Sequence, residues 1–266
     1  MRRYTTQFII ITVLALACAT VPITGRRQLS LVPDATINQM SFAQYDTVIK
    51  TSQIDNGPNS QKIKMVGIRI ADAVQQYFTQ KGQANALKDY QWEFNLIKDD
   101  STINAWCMPG GKVAVYTGIL PVTKNDTGMA IVLGHEISHA VARHGDERMS
   151  QGILTQLGGV ALEVALKNKP AQTQALFMNA YGAGATLGFI LPYSRTQESE
   201  ADHLGLIFMA MAGYDPHAAI AFWERMAQAS KGAPPAFLSD HPSDQTRIND
   251  IQKLIPEAMQ YYHPRR

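Results

Sequence analysis

The amino-acid sequence predicts a mainly helical α+β fold. Two strand-like segments precede most of the helices. They are "WEFNLIKD" and "KVAVYTG", with the turn-forming Pro109, Gly110 and Gly111 between them. Residues 92–116 are therefore expected to form a small antiparallel sheet. After Gly118, six segments carry helical spacing or are bounded by Gly or Pro: residues 126–144, 147–167, 171–190, 195–212, 215–230 and 243–261.

An amphipathic helix is predicted before the sheet. Apolar residues recur there at intervals of three and four, which is typical of a helix with one buried face. These residues are Ile63, Val66, Ile70, Val74 and Phe78. Because the chain is 45% apolar and only 17% charged, it has the composition of a globular protein rather than a disordered one.

The N-terminal segment has the character of an export signal. Arg2 and Arg3 precede an apolar run from Phe8 to Ala17, which is about half of the roughly 20 residues that a membrane-spanning helix needs. Residues 1–17 are therefore predicted to be a cleaved signal peptide rather than a permanent anchor.

The cysteine after this signal is predicted to carry lipid. Cys18 directly follows the small-x-small sequence Ala-Leu-Ala, as in bacterial lipoprotein signals. Plain secretion with an unmodified Cys18 is the alternative. Residues 18–40, rich in Pro, Gly and Thr, would form a tether, and residues 41–266 the folded domain. Cys107 is the only other cysteine, so no disulfide framework is expected, and it is assigned no chemistry.

The charge balance excludes one class of partner. Removal of Arg2 and Arg3 would lower the basic residues from 24 to 22, equal to the 22 acidic ones. There is also no long basic run, so nucleic acid is not expected to bind.

Two helical segments are apolar enough to raise the question of membrane insertion. These are "GILTQLGGVALEVAL" and "ALFMNAYGAGATLGFIL". Both are short for a bilayer, and Glu163 interrupts the first, so buried Gly- and Ala-rich helices are the favoured interpretation.

The segment "GHEISHAVARHG" has the spacing of a zinc-binding helix. His135 and His139 are four residues apart and share one helix face, so both can reach one ion at about 2.0–2.1 Å. Glu136 is offset by one residue, so it misses the ion but can take a proton from a water beside it. An ordinary amphipathic helix is the alternative, but the residues around these three are mostly apolar, which makes unpaired polar groups costly.

A third ligand is expected from "SRTQESEADHLG". Glu198 and Asp202 are four residues apart and share a face, whereas Glu200 is rotated by about 200°. With Glu198 as the ligand, Asp202 can accept the outer N–H of a ligand histidine. By itself, this pattern is most typical of a solvated charged face.

Three motifs together resemble the gluzincin zinc metalloendopeptidases of the HtpX, BepA and LoiP family. They are H-E-I-S-H, S-R-T-Q-E-S-E-A-D and S-D-H-P-S-D-Q-T-R-I, and the resemblance extends from about Ile63 to Ile251. It implies a zincin fold with one zinc ion held by His135, His139 and Glu198, and Glu136 as general base. The leader is similar to that of exported lipoprotein members, and no tetratricopeptide repeats are expected here.

The resemblance also implies a substrate and a location. We expect hydrolysis of unfolded or misassembled polypeptides by a lipid-anchored protein that faces the periplasm, on the outer membrane. A substrate strand would add to the hairpin in "NAWCMPGGKVAVYTG", with either of its strands facing the cleft. The alternatives are a chaperone-like client-binding protein with proteolysis rare or switched off, and a structural lipoprotein with an incidental metal site.

A histidine in the H-P position lies near the zinc in proteases of this kind. His241 is therefore predicted to occupy the open zinc position in a resting state, with Arg247 nearer an oxyanion role. The alternatives are that His241 itself donates to the oxyanion, or that it is an ordinary loop histidine before a helix.

Overall fold

The computed structural model describes residues 18–21, 24–167, 174, 178, 191–229, 237–238, 241 and 245–264. The predicted signal peptide and most of the predicted helix 171–190 lie outside these residues. The chain divides into two compact units, a smaller one of residues 1–34 and 143–197 and a larger one of residues 35–142 and 198–266.

The main elements of the described residues are helices. They are α1 (Asp34–Thr51), α2 (Pro58–Gln80), α3 (Asp126–Val141), α4 (His144–Leu166), α5 (Leu191–Met211), α6 (Ala218–Ala229) and α7 (Gln245–Ala258). The strands are β1 (Cys18–Thr20), β2 (Arg27–Leu29), β3 (Ile54–Asp55), β4 (Glu93–Ile97), β5 (Ala105–Met108) and β6 (Lys112–Tyr116). The predicted mainly helical α+β class is confirmed.

The larger unit contains a four-stranded sheet with the order β3-β4-β6-β5. Strands β5 and β6 form the expected antiparallel hairpin, in which Cys107 pairs with Val113. Strand β4, in contrast, runs parallel to β6, so the sheet is mixed rather than wholly antiparallel. The hairpin joins β4 through its second strand, which leaves β5 at one edge.

The core of the larger unit lies where α2 packs against α3 and β4. The predicted apolar face of α2 is buried, since each of its five residues is at most 2% exposed: Ile63, Val66, Ile70, Val74 and Phe78. Helix α3 begins at a conventional cap, because the Asn125 side chain accepts a hydrogen bond of 2.9 Å from the Gly128 N–H.

Helices α3 and α5 approach each other closely at two glycines. A Cβ atom on Gly134 would lie 2.9 Å from the carbonyl oxygen of Gly205, and one on Gly205 would lie 2.9 Å from the backbone nitrogen of His135. Any side chain at either position would therefore push the helices apart. This contact brings the His135 turn of α3 against the middle of α5.

In the smaller unit, polar contacts join the N-terminal segment to the start of α4. Arg26 donates two hydrogen bonds to Glu147 at 2.8 and 2.7 Å, and Ser30 donates one of 2.7 Å to Asp146. Strands β1 and β2 pair antiparallel, and α1 begins at Asp34. Much of the segment predicted as an irregular tether thus has regular secondary structure; the domain boundaries themselves stay a prediction.

The burial predicted for the apolar part of α4 is wrong. Leu154, Leu157, Val160 and Val164 are 41 to 68% exposed. The buried part of the helix is its polar first two turns, where Asp146 and Glu147 meet the N-terminal segment. None of the described helices has the length and apolarity needed to cross a bilayer; the second apolar segment lies almost wholly outside the described residues.

Candidate active site

Helix α3 carries three buried polar side chains in the core of the larger unit. His135, Glu136 and His139 are 2, 3 and 7% exposed. One turn of helix separates the two histidines, and their Nε2 atoms lie 3.1 Å apart. The structure therefore directs both imidazoles to one point.

Glu198 of α5 and His241 reach the same point. The Glu198 carboxylate lies 3.3 Å from Nε2 of His135 and 3.2 Å from Nε2 of His139. The Nδ1 atom of His241 lies 2.8 Å from Oε1 of Glu198 and 3.2 Å from Nε2 of His135. His135, His139, Glu198 and His241 thus form one buried cluster, which we call the four-residue cluster.

The donor atoms of the four-residue cluster suit a zinc ion. A tetrahedral ion with bonds of about 2.0–2.1 Å has ligand atoms about 3.3 Å apart, close to the separations above. If His135 and His139 are neutral, at most one of their facing Nε2 atoms can donate a hydrogen to the other, so at least one nitrogen lone pair faces into the cluster. Oε2 of Glu198 is buried and accepts no hydrogen bond from any described residue, although Nη1 of Arg247 lies 3.2 Å away. A cation would satisfy these lone pairs.

Asp202 lies behind His135, one helical turn after Glu198. Its Oδ1 atom is 3.0 Å from Nδ1 of His135, so it can accept the outer N–H of that ring and leave Nε2 free for the cluster. Arg247 donates to both Asp202 oxygens, at 2.7 and 2.8 Å. Glu200 is also buried, but it is not part of the four-residue cluster.

The charges of the site are strongly coupled. Burial lowers the pKa of His135, but its close contacts with the carboxylates of Asp202 and Glu198 outweigh burial and raise this pKa to about 9. Burial raises the pKa of Glu198, but its contacts with His135 and His139 outweigh burial and hold this pKa below its usual range. Without a metal, the site therefore favours a protonated His135 beside an ionised Glu198.

Glu136 lies beside the cluster without belonging to it. Its Oε1 atom is buried, has no hydrogen-bond partner in the part of the chain that the structure describes, and lies 3.4 Å from Nε2 of His241. Burial raises the pKa of this carboxyl, partly opposed by the nearby His241 and His135. A carboxylate with a raised pKa next to a metal site is suited to accept a proton.

Arg247 of α7 contacts several groups that support the four-residue cluster. Besides Asp202, it donates to the carbonyl oxygen of His241 at 3.2 Å, and its guanidinium carbon lies 3.7 Å from the ring centroid of Trp223. These contacts turn the guanidinium toward supporting groups. They are the contacts of a positioning residue, and the predicted oxyanion role of Arg247 stays a prediction.

Two aromatic residues of the site were missed by the sequence analysis. Trp223 of α6 lies 5.8 Å from the His135 ring, and Phe237 lies 4.9 Å from the His241 ring, both between ring centroids. Neither belongs to a motif with recognisable spacing. The contact of Trp223 with His135 depends on how α6 packs against α3, which the local sequence does not specify.

The fold and the cluster define a zinc metallopeptidase of the zincin class. The family model of peptidase family M48 matches residues 69–255, and the chain belongs to this family. The predicted class of enzyme and its zinc cofactor are thereby confirmed.

Similar curated proteins come from mitochondria and from bacteria. The mitochondrial metalloendopeptidase OMA1 of Schizosaccharomyces pombe is 39% identical over 65% of this chain and 50% of its own length. OMA1 of Saccharomyces cerevisiae is 34% identical over 77% and 58%. The beta-barrel assembly-enhancing protease of Yersinia pestis is 33% identical over 60% and 34%. The chain thus spans about half the length of its OMA1 relatives, and its envelope location and lipid anchor stay predictions.

Proposed function

We propose that this protein is a zinc-dependent endopeptidase that hydrolyses peptide bonds in unfolded or misassembled proteins of the bacterial cell envelope. The observation that carries the proposal is the buried Glu136 carboxylate, whose Oε1 atom lies beside the four-residue cluster and accepts no hydrogen bond from the described residues.

In this proposal, each polar residue of the site has one role. His135, His139 and Glu198 hold the zinc ion, and Asp202 fixes the ring of His135. When bound, zinc supplies a Lewis acid that polarises the scissile carbonyl. Glu136 accepts a proton from the attacking water and returns it to the leaving amine.

The position of β5 supports a polypeptide substrate in extended form. Strand β6 is paired on both sides, by β4 and β5, whereas among the described residues β5 pairs only with β6 and also packs against α3. An extended peptide can add to such an edge by backbone hydrogen bonding. Of the two hairpin strands, β5 is therefore the one we assign to substrate binding. Backbone recognition of this kind suits unfolded segments, which can adopt a strand.

The envelope location rests on the sequence and on one relative. A leader with Arg2, Arg3 and an apolar run before Cys18 supports export and lipidation. The name of the Yersinia relative refers to β-barrel assembly. The proposed partners are therefore polypeptides of the envelope, with the membrane contacted through lipid on Cys18.

The test is hydrolysis of an unfolded protein by wild type and by Glu136→Gln. A general base contributes about 10² to 10⁴ in rate, so the variant should lose at least about a hundredfold in turnover. Its zinc content, measured by metal analysis, should stay near one ion per chain, because Glu136 is not a ligand. Full activity in zinc-loaded Glu136→Gln would overturn the mechanism.

The position of His241 favours a second candidate function, a client-binding protein in which proteolysis is switched off. Its Nδ1 atom is within 3.2 Å of both His135 and Glu198, so it closes the cluster from one side. In that case, wild type would prevent aggregation of an unfolded protein without cleaving it, with or without a chelator.

A further inference from the structure

Trp223 lies outside every motif of the sequence, yet it contacts the support of the metal site. Its side chain is 1% exposed, and the Arg247 guanidinium carbon lies 3.7 Å from its ring centroid. This distance is well within the approximately 6 Å over which a cation is attracted to an aromatic face. The contact is buried, where such attraction is strongest.

The Arg247 guanidinium on this ring contacts groups that position three residues of the four-residue cluster. It donates twice to Asp202, which contacts Nδ1 of His135. Its Nη1 atom lies 3.2 Å from Oε2 of Glu198 and donates to the carbonyl oxygen of His241 at 3.2 Å. Any displacement of Arg247 would therefore disturb all three residues together.

Trp223 also contacts the site directly. Its ring is edge-on to His135, with an interplanar angle of 77°, and it packs on Phe237 at 5.9 Å between centroids. Phe237 in turn packs on His241. One indole thus limits the movement of His135, Arg247 and the Phe237 ring.

We propose that Trp223 is a positioning residue of the zinc site, which acts by holding Arg247 against Asp202 and the His241 carbonyl. This inference rests on the proposed function, because it assumes that His135 and Glu198 hold the zinc. The role requires a flat aromatic face and a cation, so it differs from the role of an ordinary core residue.

The test is the zinc dissociation constant of Trp223 and Arg247 variants, measured by competition with a chelator. Loss of an outer partner of a metal ligand typically costs 10- to 100-fold in affinity, and we expect a loss in this range for Trp223→Leu. Trp223→Phe, which keeps a ring, should lose less. Wild-type zinc affinity in Trp223→Leu would overturn the proposal.

A double-mutant cycle tests whether Trp223 acts through Arg247. If it does, Trp223→Leu should weaken zinc binding little further in an Arg247→Met background, because the contact is already absent. Fully additive losses would show that the indole affects the site only by packing, and would overturn the proposed route.

Phe208→Leu is the matched control for loss of packing. Phe208 is 0% exposed and packs edge-on against Tyr77 at 5.8 Å. This variant should lower the melting temperature and keep wild-type zinc affinity. If it weakens zinc binding as much as Trp223→Leu does, Trp223 has no special role.

The fluorescence of Trp223 gives a readout that does not depend on enzyme activity. Because this experiment keeps Trp223, it also works if Trp223→Leu fails to fold. The chain has three tryptophans, so Trp92→Phe/Trp106→Phe leaves Trp223 as the only one. Its emission should change on zinc removal and again with Arg247→Met. An emission unchanged by both would overturn the proposal.

Metal binding by Glu198→Ala distinguishes an error in the proposed zinc ligands from an error in the positioning role of Trp223. If Glu198→Ala keeps wild-type zinc affinity, the proposed ligand set is wrong. If Glu198→Ala loses zinc while both Trp223 variants keep it, only the positioning role is wrong.

Discussion

Nδ1 of His241 lies 2.8 Å from Oε1 of Glu198. It is also 3.2 Å from Nε2 of His135, so the His241 ring takes the fourth corner of the cluster. A catalytic zinc site needs that corner for water or substrate. We therefore predict that His241 in this arrangement holds the site in a resting state.

We predict that His241→Ala keeps zinc and increases cleavage of an unfolded protein. If the open form is about one tenth of the wild-type population, removal of the competing ring raises the rate up to about tenfold. Steady-state turnover with parallel metal analysis measures this. A large fall in turnover with zinc retained would show instead that His241 stabilises the transition state.

We also predict opposite outcomes for two glutamates of α5. Glu198→Ala should lose zinc and activity, because it removes a carboxylate within 3.3 Å of both histidines of α3. Glu200→Ala removes a carboxylate that is equally buried but outside the cluster, and it should keep zinc. Metal content after dialysis separates them, and the reverse pattern would move the third ligand to Glu200.

The sequence predicts those parts of the structure that depend on local spacing. The apolar positions of α2 and the pair His135 and His139 repeat at helical intervals, so one helix face follows directly. Helix α1 was missed because it buries only Ile37, Ser41 and Tyr45, too few for a clear period.

Features set by distant contacts were not predictable in this way. The parallel pairing of β4 with β6 depends on where the hairpin docks. The stacking of Arg247 on Trp223 joins α7 to α6, and nothing in either segment specifies it. Only the family resemblance placed His241 near the zinc, because the residues next to it in sequence have no metal-ligand spacing.

For the N-terminus, we predict that Cys18 is the first mature residue and carries acyl chains. Cys18→Ser should then release the protein from the membrane fraction of a bacterial host, while Cys107→Ser, which alters the free thiol on β5, should not. Mass spectrometry of the mature N-terminus measures this directly. An intact segment from Arg2 to Ala17 would indicate an uncleaved anchor instead.

The zinc affinity should depend on pH because of His135. In the metal-free protein its pKa is raised to about 9, so the ring is protonated at neutral pH, and zinc must displace that proton. The apparent zinc affinity should therefore increase about tenfold per pH unit from about pH 7 to about pH 9 and then level off.

The raised pKa of His135 makes the stability of the metal-free protein fall as the pH rises, the opposite of the trend in zinc affinity. A folded-state pKa above the unfolded value of about 6.5 adds stability that is fully present below pH 6.5 and is lost as the pH rises through about 9. The free energy of unfolding of the metal-free protein should thus fall over the range in which zinc affinity rises. Chelator competition and urea denaturation at matched pH values measure the two trends.

His135→Asn should remove the fall in stability, whereas His203→Gln, which alters a histidine paired with Glu257 on the surface, should keep it. A zinc affinity independent of pH between 7 and 9 would show that His135 is already neutral in the metal-free site.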